Sequence, residues 1–186
     1  MIIVYSDNMS NRLNYTLNVL FKNILKVDYS LVNFETFNSC TDKVKINYSN
    51  RALNNCISIK PHTILFENNL KEQQIKVDWI DTIPYYFKTS DTANCNYDIF
   101  ASTFYIVSRY EEYFTTEIDN HNRFKAEDSV AFKNNFLEIP VANIWAEELK
   151  KEILKKYPTI DFPILRYNFI NSIDIDVAYA YKGKGF

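Results

Sequence analysis

Glycine is almost absent from this chain of 186 residues, and its two glycines, Gly183 and Gly185, lie near the end of the sequence. A glycine-rich loop that wraps a phosphate or a dinucleotide therefore has no place in the body of the chain. Asparagine is frequent and tolerates the left-handed backbone of tight turns. We therefore expect Asn residues to form many of the turns.

The composition excludes several further classes of protein. Hydrophobic residues make up 47% of the chain and aromatic residues 16%, which indicates a folded globular protein rather than a disordered one. The net charge of -2 offers no basic surface to a nucleic-acid backbone. No apolar stretch approaches the roughly 20 residues that cross a bilayer. The sequence thus predicts neither a nucleic-acid partner nor a membrane span.

The cysteines indicate a reducing compartment. Cys40, Cys56 and Cys95 are odd in number, and no two of them have Cys-x-x-Cys spacing. Neither histidine lies at ligand spacing to any of them, which argues against a zinc site. Residues 1–7 lack the basic region and the long apolar core of a signal peptide. We therefore expect free thiols in a cytoplasmic protein.

The first half of the chain changes its hydrophobic period. Residues 2–6 form a short apolar run that predicts a buried strand, and apolar residues then recur at helical spacing over residues 13–25. Between residues 44 and 79 the period falls to two, which is typical of half-solvated strands. Residues 64–66 belong to this series. We interpret residues 44–79 as an antiparallel meander covered on one face.

Two further helices follow a strand candidate at residues 83–87. Asp98 is a suitable cap for a helix over residues 98–114, which we expect to bury Phe100, Phe104 or Val107 against the sheet. Pro140 suits the first turn of a third helix. The sequence therefore predicts an α/β (α+β) fold with a mixed, largely antiparallel sheet and about three main helices.

The apolar run at residues 167–175 predicts another buried strand, and it leads into Asp174 and Asp176. Residues two apart on a strand face the same way. The two carboxylates could therefore hold a divalent cation together, or one could act as a general base while the other binds the metal. In the alternative interpretation the chain leaves the core here, and both side chains lie in water.

A second group of charged residues surrounds the end of the second helix. Arg109 and Glu112 are three positions apart and can pair on the helix surface. A more specific interpretation joins this helix to Asp119, His121 and Arg123 in the next loop, which would make a polar site. We favour the solvated ion pair, because charge-rich helix ends usually face water.

Several runs of residues together resemble a known family. They are Pro61-x-x-Ile64-Leu65-Phe66-Glu67, Tyr97-Asp98-Ile99-Phe100-Ala101-Ser102, Ser108-Arg109-Tyr110-Glu111-Glu112-Tyr113, Arg123-Phe124 and Pro140-x-x-x-x-Trp145. The chain is similar to an uncharacterised bacterial domain that precedes a polysaccharide deacetylase domain in larger proteins. Its tail, Ser172-Ile173-Asp174-Ile175-Asp176, resembles the first motif of such a deacetylase.

The resemblance implies two parts. Residues 1–163 would be an N-terminal accessory domain, and residues 164–186 would be the first strand and the start of a truncated deacetylase-like domain. Asp174 would be the general base and Asp176 a ligand of zinc or a similar divalent metal. The family has adjacent aspartates, whereas Ile175 separates them here, and the His-x-x-x-His pair of the family's metal site is absent. We therefore expect this chain alone to bind no cofactor and to lack activity.

The expected function is that of a scaffolding or substrate-selecting domain in a metal-dependent glycan deacetylase, a hydrolase of carbohydrate metabolism. Its partners would be the missing C-terminal deacetylase domain and a glycan. One alternative is a fragment of a nucleotide-sugar glycosyltransferase whose Asp-x-Asp grips a metal-bound diphosphate. We do not expect the strand-helix alternation of a nucleotide-binding half, which argues against it. Another alternative is an interaction module without catalytic chemistry.

Overall fold

A four-stranded parallel sheet forms the centre of the fold. The computed structural model describes residues 1–41, 43–91, 95–115, 118–164, 166–174 and 182–183. The strands of the sheet are β1 (Ile2–Ser6), β2 (Tyr29–Val32), β3 (Val44–Tyr48) and β4 (Ile57–Ser58). Their order is β2-β1-β3-β4, and every neighbouring pair is parallel.

Helical crossovers explain the parallel direction of the first three strands. Helix α1 (Asn11–Leu17) follows β1 and continues as a π-helix over Asn18–Ile24, and α2 (Phe34–Ser39) connects β2 to β3. Parallel neighbours need such a crossover, because the chain must return to the same end of the sheet before the next strand begins. Helix α1 begins after Ser10, whose hydroxyl accepts a hydrogen bond of 3.0 Å from the amide of Leu13.

The two crossover helices cover opposite faces of β1. Ile2 and Val4 lie in the main core together with Leu17 of α1. Ile3 and Tyr5 lie in a second, smaller cluster that contains Phe37 of α2. All five residues of β1 are buried, as expected for a central strand of a parallel sheet covered on both faces. The prediction of a buried strand at residues 2–6 is confirmed.

The prediction of a mixed α/β fold is confirmed, but the largely antiparallel sheet is wrong. Residues 64–66, predicted as a strand, belong mainly to a 3₁₀ helix at Thr63–Leu65. Within the described ranges, isolated bridges aside, antiparallel pairing is limited to β5 (Asp78–Ile80) and β6 (Ile83–Tyr85). The alternation of apolar residues was real in β3, but such a pattern only favours antiparallel pairing and does not fix it, since β3 is parallel to both of its neighbours.

The helix predicted at residues 98–114 is broken in two. Helix α3 (Ile99–Val107) is followed by Arg109, which has φ 54° and ψ 41°, and then by a 3₁₀ helix at Tyr110–Phe114. A residue in the left-handed region cannot continue a right-handed helix. Phe100 is fully buried and Phe104 nearly so, whereas Val107 is 37% exposed, so the expectation that Phe100, Phe104 or Val107 is buried is met by the two phenylalanines.

The third predicted helix begins where the sequence placed it. After the short α4 (Val130–Lys133), α5 (Val141–Lys156) follows Pro140 and buries Trp145. The indole of Trp145 donates a hydrogen bond of 3.0 Å to the carbonyl of Pro84 in β6. The three main helices of the prediction are therefore α1, α3 and α5, and the structure adds the shorter α2 and α4.

The strand predicted at residues 167–175 is not formed where the structure describes it. Residues 166–174 belong to no strand, and the side chains of Tyr167 and Ile173 are 90% and 76% exposed. An apolar pattern specifies a strand only where a neighbouring strand and a packing surface are supplied. Residues 166–174 pair with no described strand and stay exposed, and Ile175 lies outside the described residues.

Candidate functional site

The strand order locates a cleft at one edge of the sheet. The chain places β2 on one side of β1 and β3 on the other, so the direction of winding reverses between β1 and β3. In open parallel sheets such a reversal leaves a crevice outside the carboxyl ends of the strands. A cavity of about 310 Å³ lies at this position, and we call it the β1–β3 cleft. Its lining residues are Ser6, Asp7, Asn8, Tyr48, Ser49, Asn50, Pro61, Thr63, Phe66 and Glu67.

The end of β1 supplies a paired carboxylate to the cleft. Asp7 accepts a hydrogen bond of 2.8 Å from Nε of Arg51 and another from the phenol of Tyr5. Burial, and then the bond to Asp7, raise the pKa of Tyr5, so this phenol remains a donor. The guanidinium of Arg51 also lies 4.9 Å from the ring centre of Phe34. Asp7 is therefore held in a defined position, and its charge is balanced by Arg51.

The turn after β3 is fixed by its own side chains. Ser49, which is buried, donates a hydrogen bond of 2.6 Å to Oδ1 of Asn47. Nδ2 of Asn47 in turn donates to the carbonyl of Arg51 at 2.8 Å. Asn and Ser side chains that bond to nearby backbone stabilise turns in this way. The wall of the cleft that the turn after β3 provides is therefore held in place by its own side chains.

Asp98 joins the end of β3 to the loop of residues 61–69, which closes the cleft. Its carboxylate is fully buried; Oδ2 accepts hydrogen bonds from the phenol of Tyr48 at 2.7 Å and from the amide of His62 at 2.6 Å. Oδ1 accepts from the amides of Phe100 and Ala101 at the start of α3. Burial raises the pKa of Asp98 to about 6, although these four hydrogen bonds act in the opposite direction.

His62 has a structural part in the same loop. Its ring stacks on Phe87 with 4.2 Å between ring centres, and Nδ1 accepts a hydrogen bond of 3.3 Å from the amide of Ile64. Burial lowers the pKa of His62, which favours the neutral imidazole that can accept this bond. His62 therefore caps the 3₁₀ helix at Thr63–Leu65, which is part of this loop.

Arg12 attaches the loop to α1. Nη1 donates a hydrogen bond of 2.7 Å to the carbonyl of Ile64, and Nη2 donates one of 3.1 Å to the carbonyl of Asn69. The guanidinium also lies 5.4 Å from the ring centre of Phe104 and 5.5 Å from that of Tyr110. Arg12 of α1 thereby holds the loop, which is one wall of the cleft, and its guanidinium also contacts Phe104 of α3.

Glu67 is the least satisfied polar group of the cleft. Oε1 accepts a hydrogen bond of 3.0 Å from the hydroxyl of Thr63. Oε2 is buried and has no hydrogen-bond partner within the described part of the chain. A buried acceptor without a donor costs roughly 1–3 kcal/mol, so a ligand donor would be stabilising here. The terminal torsion of a glutamate is soft, and either oxygen can turn toward such a donor.

The lining chemistry favours a ligand rich in hydroxyl groups. Carboxylates accept hydrogen bonds, amides and hydroxyls both donate and accept, and the ring of Phe66 offers an apolar face. A polyphosphate would approach the carboxylates of Asp7 and Glu67, and the nearby cation, Arg51, is already paired with Asp7. An uncharged polar ligand meets no such repulsion.

Asp174, one of the two aspartates predicted as site residues, does not line this cleft. Asp174 is exposed and lies outside any helix or strand, in the segment beyond α5. Asp176 lies outside the described residues. The general base at Asp174 and the metal ligand at Asp176 therefore remain predictions.

The charged residues after α3 form two separate surface pairs. Arg109 pairs with Glu112, and Asp119 pairs with Arg123 at 2.8 Å, while His121 is exposed. Within the segments that the structure describes, no hydrogen bond or ion pair joins the first pair to the second. The solvated ion pair of Arg109 and Glu112 is thus present, and the alternative polar site is not assembled.

Sequence reasoning missed Asp7, Ser49 and Glu67 as lining residues of the cleft. It also missed that Asp98 bonds to Tyr48 and His62 beside the cleft. The available signal was positional, because Asp7 follows the first apolar strand directly and Ser49 follows β3. Carboxyl ends of parallel strands meet at one edge of a sheet. An antiparallel arrangement of residues 44–79 would not bring the ends of β1 and β3 to one edge, so that interpretation hid the site.

Over the described ranges, no group of three or more His, Cys, Asp and Glu residues is arranged to hold a metal ion. In the same ranges, no helix has the length and apolar character needed to cross a membrane.

Comparison with known proteins gives a family but no function. No curated protein and no solved structure has significant similarity to the chain. One family model matches residues 2–158, which include both sheets, α1 to α5 and the whole lining of the β1–β3 cleft. The chain therefore belongs to DUF7033, a family of unknown function.

Proposed function

We propose that this chain is the substrate-selecting N-terminal domain of a metal-dependent glycan deacetylase, and that it binds glycan in the β1–β3 cleft. The observation that carries the proposal is a cleft lined by hydrogen-bonding side chains at the reversal point of a parallel sheet. Such reversal points are the usual ligand sites of open α/β sheets. The glycan class comes from the sequence resemblance, with which the polar lining agrees.

The cleft has the groups that a sugar unit requires. Sugar hydroxyls act as donors and acceptors at once, so they match the carboxylates of Asp7 and Glu67 and the amide of Asn50. The apolar C–H face of a sugar ring can pack on Phe66, as apolar groups do on aromatic rings. A volume of about 310 Å³ is near the lower end of the range for small-molecule sites, which suits one sugar unit.

The chemistry would belong to the part of the protein that follows. Phe162 is buried near the end of α5, and the chain leaves the body of the fold just after it. This supports a boundary close to residue 163, with residues 164–186 at the start of the deacetylase-like domain. In that domain Asp174 would act as the general base and Asp176 would bind zinc or a similar divalent metal.

A nucleotide-sugar transferase is the second candidate. The strand-helix alternation from β1 to β3 favours it, and this removes the earlier objection that the alternation is absent. The cleft itself argues against it, because Asp7 and Glu67 would repel a diphosphate and no glycine-rich loop follows β1. We therefore place the glycan first.

The test is a titration of the ¹⁵N-labelled chain followed by NMR. We expect N-acetylglucosamine to shift the amide signals of Asp7, Asn50 and Glu67, and Glu67→Gln to weaken this binding about tenfold. Glu147→Gln on α5 is the matched control and should leave it unchanged. Shifts of the same signals by UDP with Mg²⁺, and none by the sugar, would favour the transferase. If neither ligand shifts these amide signals, the cleft is refuted as a binding site.

The proposal also requires that the chain is inactive by itself. We expect no acetate release from acetylated chito-oligosaccharides in the presence of zinc or cobalt, because the resemblance provides only the first motif of the deacetylase. Metal-dependent turnover that scales with the amount of the purified chain would show that it holds a complete active site.

A further inference from the structure

A larger depression continues the β1–β3 cleft along the start of α1. Its volume is about 930 Å³, and it extends from Asn8 along α1 to Asn14 and Leu31 of β2. We call this depression the α1 groove. It shares Asn8, Phe66 and Glu67 with the cleft, so the two cavities lie next to each other.

Half of the residues that line the α1 groove have uncharged polar side chains. Among the described residues, the side-chain amides of Asn8, Asn11 and Asn68 have no hydrogen-bond partner. Each amide can donate and accept, which is the capability that a row of sugar hydroxyls requires. Two charged residues line the groove, and one of them, Arg12, uses its guanidinium to hold the carbonyl of Ile64.

The walls of the groove are already fixed. The hydroxyl of Ser10 donates a hydrogen bond to the carbonyl of Leu65, which adds to the bonds of Arg12 in holding the loop against α1. On the opposite wall, the phenol of Tyr29 in β2 donates a hydrogen bond of 3.0 Å to Oδ1 of Asn14. A preformed wall loses little conformational freedom when a ligand binds, and more of the contact energy therefore appears as affinity.

We infer that the β1–β3 cleft and the α1 groove form one continuous site for an oligosaccharide, with one sugar unit in the cleft and the following units in the groove. This inference rests on the proposed function, because it takes the ligand to be a glycan. Glu67 and Phe66 line both cavities and therefore lie at the junction of neighbouring units. The domain would then select its substrate by chain length, since a single sugar fills the cleft alone.

The experiment compares N-acetylglucosamine with its β-1,4-linked tetrasaccharide on the whole 186-residue chain. We expect the tetrasaccharide to bind at least about tenfold more tightly, a difference of about 1.4 kcal/mol. The monosaccharide should shift the amide signals of Ser49 and Asn50, and the tetrasaccharide should also shift those of Asn11 and Asn68. The shifted signals thus report which cavity each ligand occupies.

A double variant tests the groove separately from the cleft. Asn11→Ala with Asn68→Ala removes two exposed amides, and we expect it to abolish most of the tenfold gain while leaving the affinity for the monosaccharide unchanged. Asn143→Ala, an exposed asparagine in the first turn of α5, is the matched control and should keep the full gain. Thermal melts verify that each variant is folded.

The outcomes separate the two proposals. If the monosaccharide shifts the cleft signals but the tetrasaccharide binds no more tightly, the continuous site is refuted and the glycan-binding cleft stands. If Asn143→Ala also abolishes the tighter binding of the tetrasaccharide, as the double variant does, then the α1 groove is refuted as the source of that tighter binding. If neither sugar shifts any signal of the cleft, both proposals fall together.

Discussion

The carboxylate of Asp98 accepts a hydrogen bond of 2.7 Å from the phenol of Tyr48, which lies 50 positions earlier in the chain. Burial raises the pKa of Tyr48 well above its ordinary value, so the phenol keeps its proton and donates the hydrogen bond to the carboxylate of Asp98. The same carboxylate oxygen holds the amide of His62. One buried residue thereby joins the end of β3, the loop of the β1–β3 cleft and the start of α3.

Replacing Asp98 by alanine should therefore destabilise the whole fold. The variant loses the cap of α3, which costs about 0.5–2 kcal/mol, and leaves the buried phenol of Tyr48 without an acceptor, which costs about 1–3 kcal/mol more. We expect urea unfolding to show a loss of about 1.5–5 kcal/mol in the free energy of unfolding. Asp174→Ala is the control for an exposed aspartate and should change it by less than about 0.5 kcal/mol. Equal effects of the two substitutions would contradict the buried network.

The same residue should give the stability a distinct pH dependence. The pKa of Asp98 is about 6 in the folded state, above the ordinary value of 3.8. Between these values the folded protein retains a proton that the unfolded chain has lost, so the free energy of unfolding falls as the pH rises from about 4 to about 6. Above about pH 6 both states are ionised, and this contribution is constant.

Asp98→Asn isolates this contribution, because asparagine does not titrate. The free energy of unfolding of the wild type minus that of the variant should fall by about 2 kcal/mol between pH 4 and pH 7. Urea unfolding at four pH values measures the difference. Two parallel curves would show that burial does not raise the pKa of Asp98 in the folded protein.

Two residues of α3 should differ sharply in their contribution to stability. The ring of Phe100 is fully buried and lies 5.0 Å from the ring of Tyr48 between centroids, whereas Val107 is partly exposed at the end of the helix. Phe100→Ala should cost about 3–5 kcal/mol because it opens a cavity in the core. Val107→Ala should cost less than about 1 kcal/mol. Chemical denaturation of both variants measures the difference, and similar losses would disprove the packing described.

Arg109 should matter for its backbone more than for its side chain. Its ion pair with Glu112 is exposed, so Arg109→Ala should cost less than about 1 kcal/mol. The left-handed backbone is strained for a β-branched residue and free for glycine. We therefore expect Arg109→Val to be at least about 1 kcal/mol less stable than Arg109→Gly in thermal and urea unfolding. A large loss in the alanine and glycine variants alike would indicate that the guanidinium belongs to a buried network.

The segment beyond α5 should be open to proteases. Tyr167 and Phe169 are largely exposed and belong to no strand, although the sequence pattern predicted a docked one. We expect chymotrypsin to cleave first after one of these two residues and to leave the fold up to Phe162 intact, as mass spectrometry would show. Protection of both sites in a monomeric sample would mean that the segment is docked.

The parts of this fold that were predictable from sequence are those set by neighbouring residues. The apolar run of β1, the helical spacing of α1 and the start of α5 after Pro140 are local signals. Asp98 was predicted to cap a helix, and its carboxylate does accept the amides of Phe100 and Ala101. In each case the partners lie within a few positions of the residue that carries the signal.

The parts that were missed depend on contacts between distant segments. The parallel direction of β3 depends on the crossover through α2, and the second role of Asp98 depends on Tyr48. The break at Arg109 gave no warning either, because the left-handed position carries an arginine where a glycine would have marked it. The cleft depends on contacts between segments that are distant in the sequence, which is why no local sequence motif indicated it.

The central place of β1 in the sheet has a consequence for synthesis in the cell. β1 precedes both of its neighbours in the chain, so it leaves the ribosome before either β2 or β3 can pair with it. At roughly 5–20 residues per second it waits for a few seconds as an apolar strand with two open edges. A substitution that delays β2 or β3 would therefore reduce the yield of soluble protein, even where it leaves the equilibrium stability of the finished fold unchanged.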